Sequence, residues 1–395
     1  MLPSATKTRM PTAIWALGFV SLFMDISSEM IHSLLPMFLV GTLGMSTLAV
    51  GILEGVAEST ALIVKVFSGM LSDYLGKRKA LAVLGYSLGA LSKPLFALAP
   101  GVTLVVTARL LDRVGKGIRG APRDALVADI APPEIRGQAF GLRQSMDTVG
   151  AFLGPLLGTG LMLLWADDFR SVFWVAIIPG ALAVMVLVWG VKEPGHAPVQ
   201  PVRSPIQWAS LKRLSRSYWW VVGLGGLFTL ARFSEAFLVL RAEQLGVPVA
   251  MVPLMMVAMN VVYAASAYPF GWLSDRVKHR KLLGWGVVVL VVADLVLAHA
   301  THIGLLLTGI LLWGIHMGMT QGLMATMVAD TAQPELRGTA YGVFNLVSGI
   351  AMLVASTCAG WLWQTHGPQA TFWAGAGFAL VAWLGLQLKP QRDLC

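Results

Sequence analysis

Ionisable side chains recur inside apolar stretches of this chain, and their spacing is that of helices. Asp25 and Glu29 stand four residues apart, as do Glu54 and Glu58, Arg109 and Arg113, and Arg143 and Asp147. Residues four apart share a helix face. A charge in apolar surroundings is costly unless it is paired or reaches a wet cavity. A carboxyl held between apolar neighbours and an arginine can take up and release a proton as that balance changes. Asp25, Glu58 and Arg113 are therefore the expected core of a proton-coupling site, with Glu29, Glu54, Arg109 and Asp147 beside them. Permanent ion pairs that only hold helices together are the competing reading for any one of them.

A substrate cavity needs side chains at mid-depth from both halves of the chain. The candidates are Met24, His32, Phe228, Arg232, Tyr263, Trp313, His316, Met317 and Gln321. Helix packing or lipid contact explains any single Trp or Met among them equally well. His316 stands mid-span among Met and Gly and suits an anionic or metal-chelating substrate. No short His or Cys spacing supports a resident metal centre, and Cys358 and Cys395 form no disulfide framework. A phosphate-binding GxxxxGK[ST] loop and a nucleophile–base spacing are both missing, which argues against an ATP-driven pump and against an enzyme; no cofactor is expected.

The elements that must carry these residues are set by composition. Of 395 residues, 56% are hydrophobic and 12% charged, with mean hydropathy +0.72. Soluble domains have about 25% charged residues, so this chain is expected to lie in lipid. Apolar runs fall at roughly 12–40, 46–71, 80–99, 101–125, 137–164, 170–190, 218–241, 248–273, 282–300, 303–328, 338–363 and 368–388. Each suffices to cross a ~30 Å hydrocarbon layer as a helix. The expectation is an all-α membrane protein with twelve transmembrane helices in two pseudo-symmetric six-helix bundles, 1–190 and 218–395, joined by a Pro-rich linker, 191–217. The first run is read as a retained span and not a cleaved leader.

Placing the N-terminus in the cytoplasm gathers the basic loop residues, from Lys7 and Arg9 through Lys77–Lys79 and Arg276–Lys281 to Arg392, on the inner side. Only Arg170 and Arg241 fall outside. That asymmetry predicts cytoplasmic termini. The net charge of +9 is spread between the apolar runs and forms no nucleic-acid patch. The halves also repeat. Gly69-Met-Leu-Ser-Asp73 returns as Gly271-Trp-Leu-Ser-Asp275, and Glu134, Arg136 and Gly141 return as Glu335, Arg337 and Gly342. Parallel repeats imply a substrate path between two related halves.

Gly69 to Lys79, GMLSDYLGKRK, resembles the loop between helices two and three of major facilitator superfamily transporters. Gly69, Asp73, Gly76, Lys77 and Arg78 stand where that motif places them. The copy at Gly271, Asp275 and Arg276 carries Lys278 in place of the second glycine. The resemblance implies a cytoplasmic gate latched by these residues, with Glu134, Arg136, Glu335 and Arg337 in the matching second loops. Arg113-Val-Gly-Lys-Gly117 is similar to the family's fourth-helix motif, which implies proton coupling, although Lys116 departs from it. Gly141, Gly150, Gly154-Pro155 and Gly158 resemble the antiporter motif of the fifth helix, with Thr159 in place of its last glycine. Close helix packing alone also produces such glycines.

The expected function is a secondary transporter of a bacterial-type inner membrane, exchanging protons for an exported small organic molecule, and monomeric. Ion-coupled movement of an organic anion, siderophore or metal chelate is the alternative. A non-transporting receptor or scaffold on the same fold is the alternative from another class.

Overall fold

The computed structural model describes residues 9–193, 208–274, 276–320, 322–333 and 336–388; the side chains of Asp73 and of 208–210 lie outside the described set. Asp275, Gln321, Glu335 and most of the linker therefore also fall outside it. Ten helices among the described residues are long and apolar enough to cross a membrane. Two further segments complete the expected twelve, and each departs from that standard for a reason that bears on the site.

The N-terminal bundle comprises α1 (Thr12–His32, carried on to Thr42 by a short turn and a wide π turn), α2 (Thr47–Leu75), α3 (Arg78–Leu98), α4 (Val102–Ile130), α5 (Arg136–Leu164) and α6 (Phe169–Gly190). The helix α4 is too charged to qualify on apolarity, and its 29 residues run past the expected end at 125. The C-terminal bundle comprises α7 (Arg216–Leu230 and Ala236–Gln244), α8 (Pro253–Ser274), α9 (His279–Ala298), α10 (Ile303–Thr320, continued by Leu323–Thr331), α11 (Arg337–His366) and α12 (Pro368–Gln387). The helix α7 is broken at 231–235.

Local chemistry sets the ends. The Ser46 hydroxyl accepts from the Ala49 amide at the start of α2, and Ser215 accepts from Tyr218 at the start of α7. Gly76 closes α2 in the left-handed region at φ 61°, where a side chain would be strained. That accounts for the second glycine of the 69–79 loop. The two halves share a loop contact as well as a sequence: Arg78 pairs with Asp129, and His279 lies 3.6 Å from Asp330. Both residues of the pair are displaced by 201 positions between halves, the offset read from the sequence.

The turns at 43–46, 99–101, 165–168, 245–248, 299–302 and 367 lie at one end of the bundles, hereafter the far face. The residues flanking the linker lie at the other, the linker face. Toward the far face the bundles touch closely. A Cβ on Gly55 would stand 2.9 Å from Leu353 O, and one on Gly360 would stand 2.5 Å from Thr47 O. Toward the linker face α2 turns to α4, where Ser68 Oγ donates to Gly117 O at 2.9 Å. There α11 packs instead on α7, with Phe344 against Gly225. The contact between α2 and α11 continues to mid-helix, where a Cβ on Gly349 would stand 3.5 Å from Ser59 O.

Candidate functional site

Between the bundles lies a cavity of about 300 Å³. One wall carries Glu29, His32, Glu54, Glu58, Arg109, Arg113 and Lys116, from α1, α2 and α4. The opposite wall is largely apolar, built by Phe233, Val239, Met256, Trp313 and Met352, with Arg232, Ser234 and Glu235 from the break in α7.

The charged wall is a connected network. Arg113 Nη1 donates to Glu58 Oε1 at 2.9 Å, and Arg109 Nη2 to Glu54 Oε2 at 2.6 Å. Behind them Asp112 is fully buried, taking Lys93 Nζ at 2.8 Å and Arg113 Nη2 at 3.1 Å. The Lys93 ammonium also donates to Ser28 Oγ at 3.1 Å. The His32 ring lies 3.3 Å from Asp112 Oδ2 and within 2.9 Å of Arg113 Nη2. Both ring nitrogens lie within 2.9 Å of Arg113 Nη2, a donor only, so the tautomer sets which of them accepts. Protonating the imidazole would set like charges side by side and disturb the contact.

The break in α7 explains how backbone leaves the helix at mid-depth. Irregular backbone is tolerated within a membrane where it lines a cavity and its polar groups are bonded elsewhere. The Ser234 amide donates to Ser356 Oγ at 3.2 Å, and the Ala236 amide to Ser234 Oγ at 3.2 Å. Ser234 Oγ in turn donates to Glu54 Oε2 at 3.3 Å, which ties α7 to α2 across the two bundles.

Asp25 is not part of the Glu58–Arg113 pair. It lies beside Asp147 of α5, and Arg123 and Arg143 each lie 3.7 Å from Asp147.

Glycines set this geometry. A Cβ on Gly150 would stand 2.8 Å from Asp25 Cβ, and one on Gly154 would stand 2.7 Å from Glu29 Cβ. At Gly158 the nearest atom is Met30 O at 3.6 Å, and at Gly141 nothing lies within 4 Å. The glycine series thus approaches α1 at its middle members, beside the two acids, and is open at Gly141. Pro155 is buried within the same helix.

The other expected residues are dispersed. His32, Arg232 and Trp313 line the cavity, and Phe228 sits 5.7 Å from the Arg232 guanidinium. Tyr263 and Gly271 line a second cavity of about 250 Å³ nearer the linker face, between α5, α8 and α10. Met24 is buried in the N-terminal core, and Met317 packs against the C-terminal core. His316 is buried with Nδ1 2.7 Å from Gly286 O, facing α9 and not the cavity. Gln321 lies outside the described residues.

Among the gate residues, Gly69 faces Ala121, and Lys77 precedes α3, where Arg78 joins Asp129. Arg276 stacks on Trp272 at 3.6 Å, and Glu134, Arg136 and Arg337 are exposed at the linker face. The side chains of Asp73, Asp275 and Glu335 lie outside the described set. Asp112, Ser234 and Glu235 were not anticipated as site residues. Asp112 had a signal, since it lies between Arg109 and Arg113 in a run of charge, but its partner Lys93 belongs to another helix.

Known proteins resemble this chain along its length. The model of the Major Facilitator Superfamily matches residues 17–240 and 227–393. An uncharacterised transporter of that type from Methanocaldococcus jannaschii is 32% identical over 382 residues, covering 94% of this chain and 93% of the relative. The multidrug resistance protein MdtH of Photorhabdus laumondii is 26% identical, covering 88% of this chain and 86% of its own. Among solved structures, a peptide transporter in complex with sulfate superposes with a TM-score of 0.81 at 15% identity, over 95% of this chain and 94% of that one.

Proposed function

Given that the chain belongs to the Major Facilitator Superfamily, and is a multi-pass membrane transporter, we propose that it exports small organic molecules in exchange for protons. The observation that carries this reading is the Asp25–Asp147 pair. Asp25 of this pair packs against Gly150, one helical turn from Glu29 on the cavity wall, and in this reading the pair carries the exchanged proton. Proton and substrate sites are then joined by α1, and by α4 through Arg123 beside Asp147 and Arg113 on the cavity wall. A shift of α1 against α5 alters the acid pair and the Glu29–His32 side of the cavity together, as an exchanger requires. The glycine series that resembles an antiporter motif lies at that contact. The relatives bearing the name multidrug resistance protein point the same way.

In this reading the linker face is cytoplasmic, because Lys77, Lys79, Lys192, Arg213, Lys278 and Lys281 gather there. Both termini lie inside, the membrane is the inner one, and the working unit is a monomer. The halves are 1–190 and 218–395, joined by 191–217. Asp73 and the basic residues after it latch the linker face when the far face opens.

The test is flux in proteoliposomes under an imposed pH gradient, with panels of organic cations, anions and chelates. Substrate movement driven by opposite proton movement, and lost in Asp25→Asn or Glu58→Gln, is the expected result. Gradient-independent uptake of a single nutrient would overturn it. One observation favours a second reading, an organic anion as cargo. Arg232 lines the cavity and is held by the Phe228 ring, with no acid bonded to it among the described residues. The same panel separates the two.

A further inference from the structure

Asp294, on α9, stands apart from everything assigned above. Its side chain is 0% exposed, and neither carboxyl oxygen has a hydrogen-bond partner among the described residues. Three elements face it. From α12 comes Gly375, where a Cβ would stand 2.6 Å from Asp294 Oδ2 and 2.9 Å from Phe233 Cε1, so the acid and the ring meet over one glycine. No titratable residue occurs along α12. From the Ile303–Thr320 part of α10, His316 is the one titratable group; it is bonded to Gly286, eight residues before Asp294, and its Nε2 is also unpartnered among the described residues. From α7 comes Phe233, whose ring lies 5.5 Å from Trp313 and 5.6 Å from Phe372. Arg232 and Glu235, which flank Phe233, line the cavity.

An ionised carboxylate needs a cation or hydrogen-bond donors, and the described protein groups around Asp294 supply neither. A neutral carboxyl is far less costly there. Phe233 and Trp313 both line the cavity, which puts the acid one aromatic layer behind its wall. We propose that Asp294 is a proton-binding site of the C-terminal bundle, loaded in this arrangement and shut off from the cavity by Phe233. Phe233 belongs to the stretch where α7 leaves the helix, so movement of that stretch uncovers the acid. The carboxyl O–H bond then breaks, the proton passes to cavity water, and the carboxylate left behind is hydrated. The site is separate from the Asp25–Asp147 pair and does not depend on the direction of transport or on the coupling proposed above.

The experiment is infrared spectroscopy of the full chain in lipid, which needs no substrate. In the unaltered protein at neutral pH, a carbonyl band of a protonated carboxylic acid is expected that shifts slowly in D2O. Asp294→Asn removes that band, whereas Asp25→Asn leaves it in place. Phe233→Ala speeds its deuterium shift by tenfold or more. The thermal stability of Asp294→Asn stays near that of the parent, because the amide is a neutral isostere of the loaded acid. An unchanged set of carboxylic bands in Asp294→Asn, or a failure of that variant to fold, overturns the site. An unchanged exchange rate in Phe233→Ala overturns the gate. If transport proves uncoupled to protons while the band behaves as described, the site stands and the exchange mechanism fails.

Discussion

The glycines of α5 form a graded experiment on one helix. At Gly154 an added methyl would sit 2.7 Å from Glu29 Cβ, 2.9 Å from Ile26 O and 3.1 Å from Met30 N. Ordinary contact begins near 3.4 Å, so α1 and α5 must separate by about 0.7 Å. Two of the three obstacles are main-chain atoms, and no side-chain rotation relieves them. Overpacking of this kind costs about 1–3 kcal/mol, which corresponds to roughly a 5- to 150-fold change in an equilibrium. At Gly150 the obstacles are Leu22 O and Asp25 Cβ, so the same cost falls on the acid pair. Gly158→Ala meets ordinary contact at 3.6 Å, and Gly141→Ala meets nothing. Thermal unfolding of the detergent-solubilised protein, read beside flux in vesicles, should rank the four. Gly150→Ala and Gly154→Ala lower both, Gly158→Ala changes little, and Gly141→Ala leaves flux intact and keeps or raises stability through the better helix propensity of alanine. Equal damage at Gly141 and Gly154, or a neutral Gly154→Ala, would refute the claim that α5 acts through its approach to α1.

Three further outcomes are expected. Ser234→Ala removes the hydrogen bond to Glu54 that joins α7 to α2, worth about 1 kcal/mol net; spin-label distances between the far ends of α2 and α11 should shift toward the open population, and an unchanged distribution would count against that bond as a tie. Arg113→Lys keeps a charge but cannot reach Glu58, Asp112 and His32 at once; transport should fall by tenfold or more with the fold retained, and full activity would mean that simple charge suffices. Asp168 caps α6 in the far-face turn, and the Ser171 hydroxyl, followed by the Arg170 and Ser171 amides, holds its carboxyl below the usual range. A carboxyl depressed in the folded state stabilises it above the unfolded-state value, and that contribution disappears as pH falls through the folded-state value. Asp168→Ala should therefore destabilise by about 0.5–1 kcal/mol at neutral pH, at the low end because the site is exposed, and the gap should close in acid.

The bundle was legible in the sequence because lipid imposes a simple rule, long apolar runs whose backbone must bond to itself. The repeat was legible because both halves keep the same loop chemistry, and Arg78–Asp129 and His279–Asp330 occupy one offset in space as they do in sequence. The break in α7 was not, for Ala231 to Glu235 contains neither Gly nor Pro. What holds it open comes from Ser356 and Glu54, far away along the chain. For Asp25, Glu58 and Arg113, composition could not assign partners. Glu58 found Arg113, while Asp25 found another acid. Partner choice depends on helix rotation, and a periodic apolar run fixes that only coarsely. His316 shows the same limit: its depth was readable, but the side it faces was not.

Residues 232–235 sit in the passage where the amide ladder of α7 is interrupted: Arg232 still bonds back to Thr229, while the Ser234 amide turns to Ser356 Oγ. A side chain exchanged there alters what the cavity meets while the helical segments before and after keep their own bonds. Among descendants of one ancestral transporter, cargo preference can therefore drift at this elbow with little penalty to the scaffold, and the neighbouring serines that clasp it are the positions least free to change.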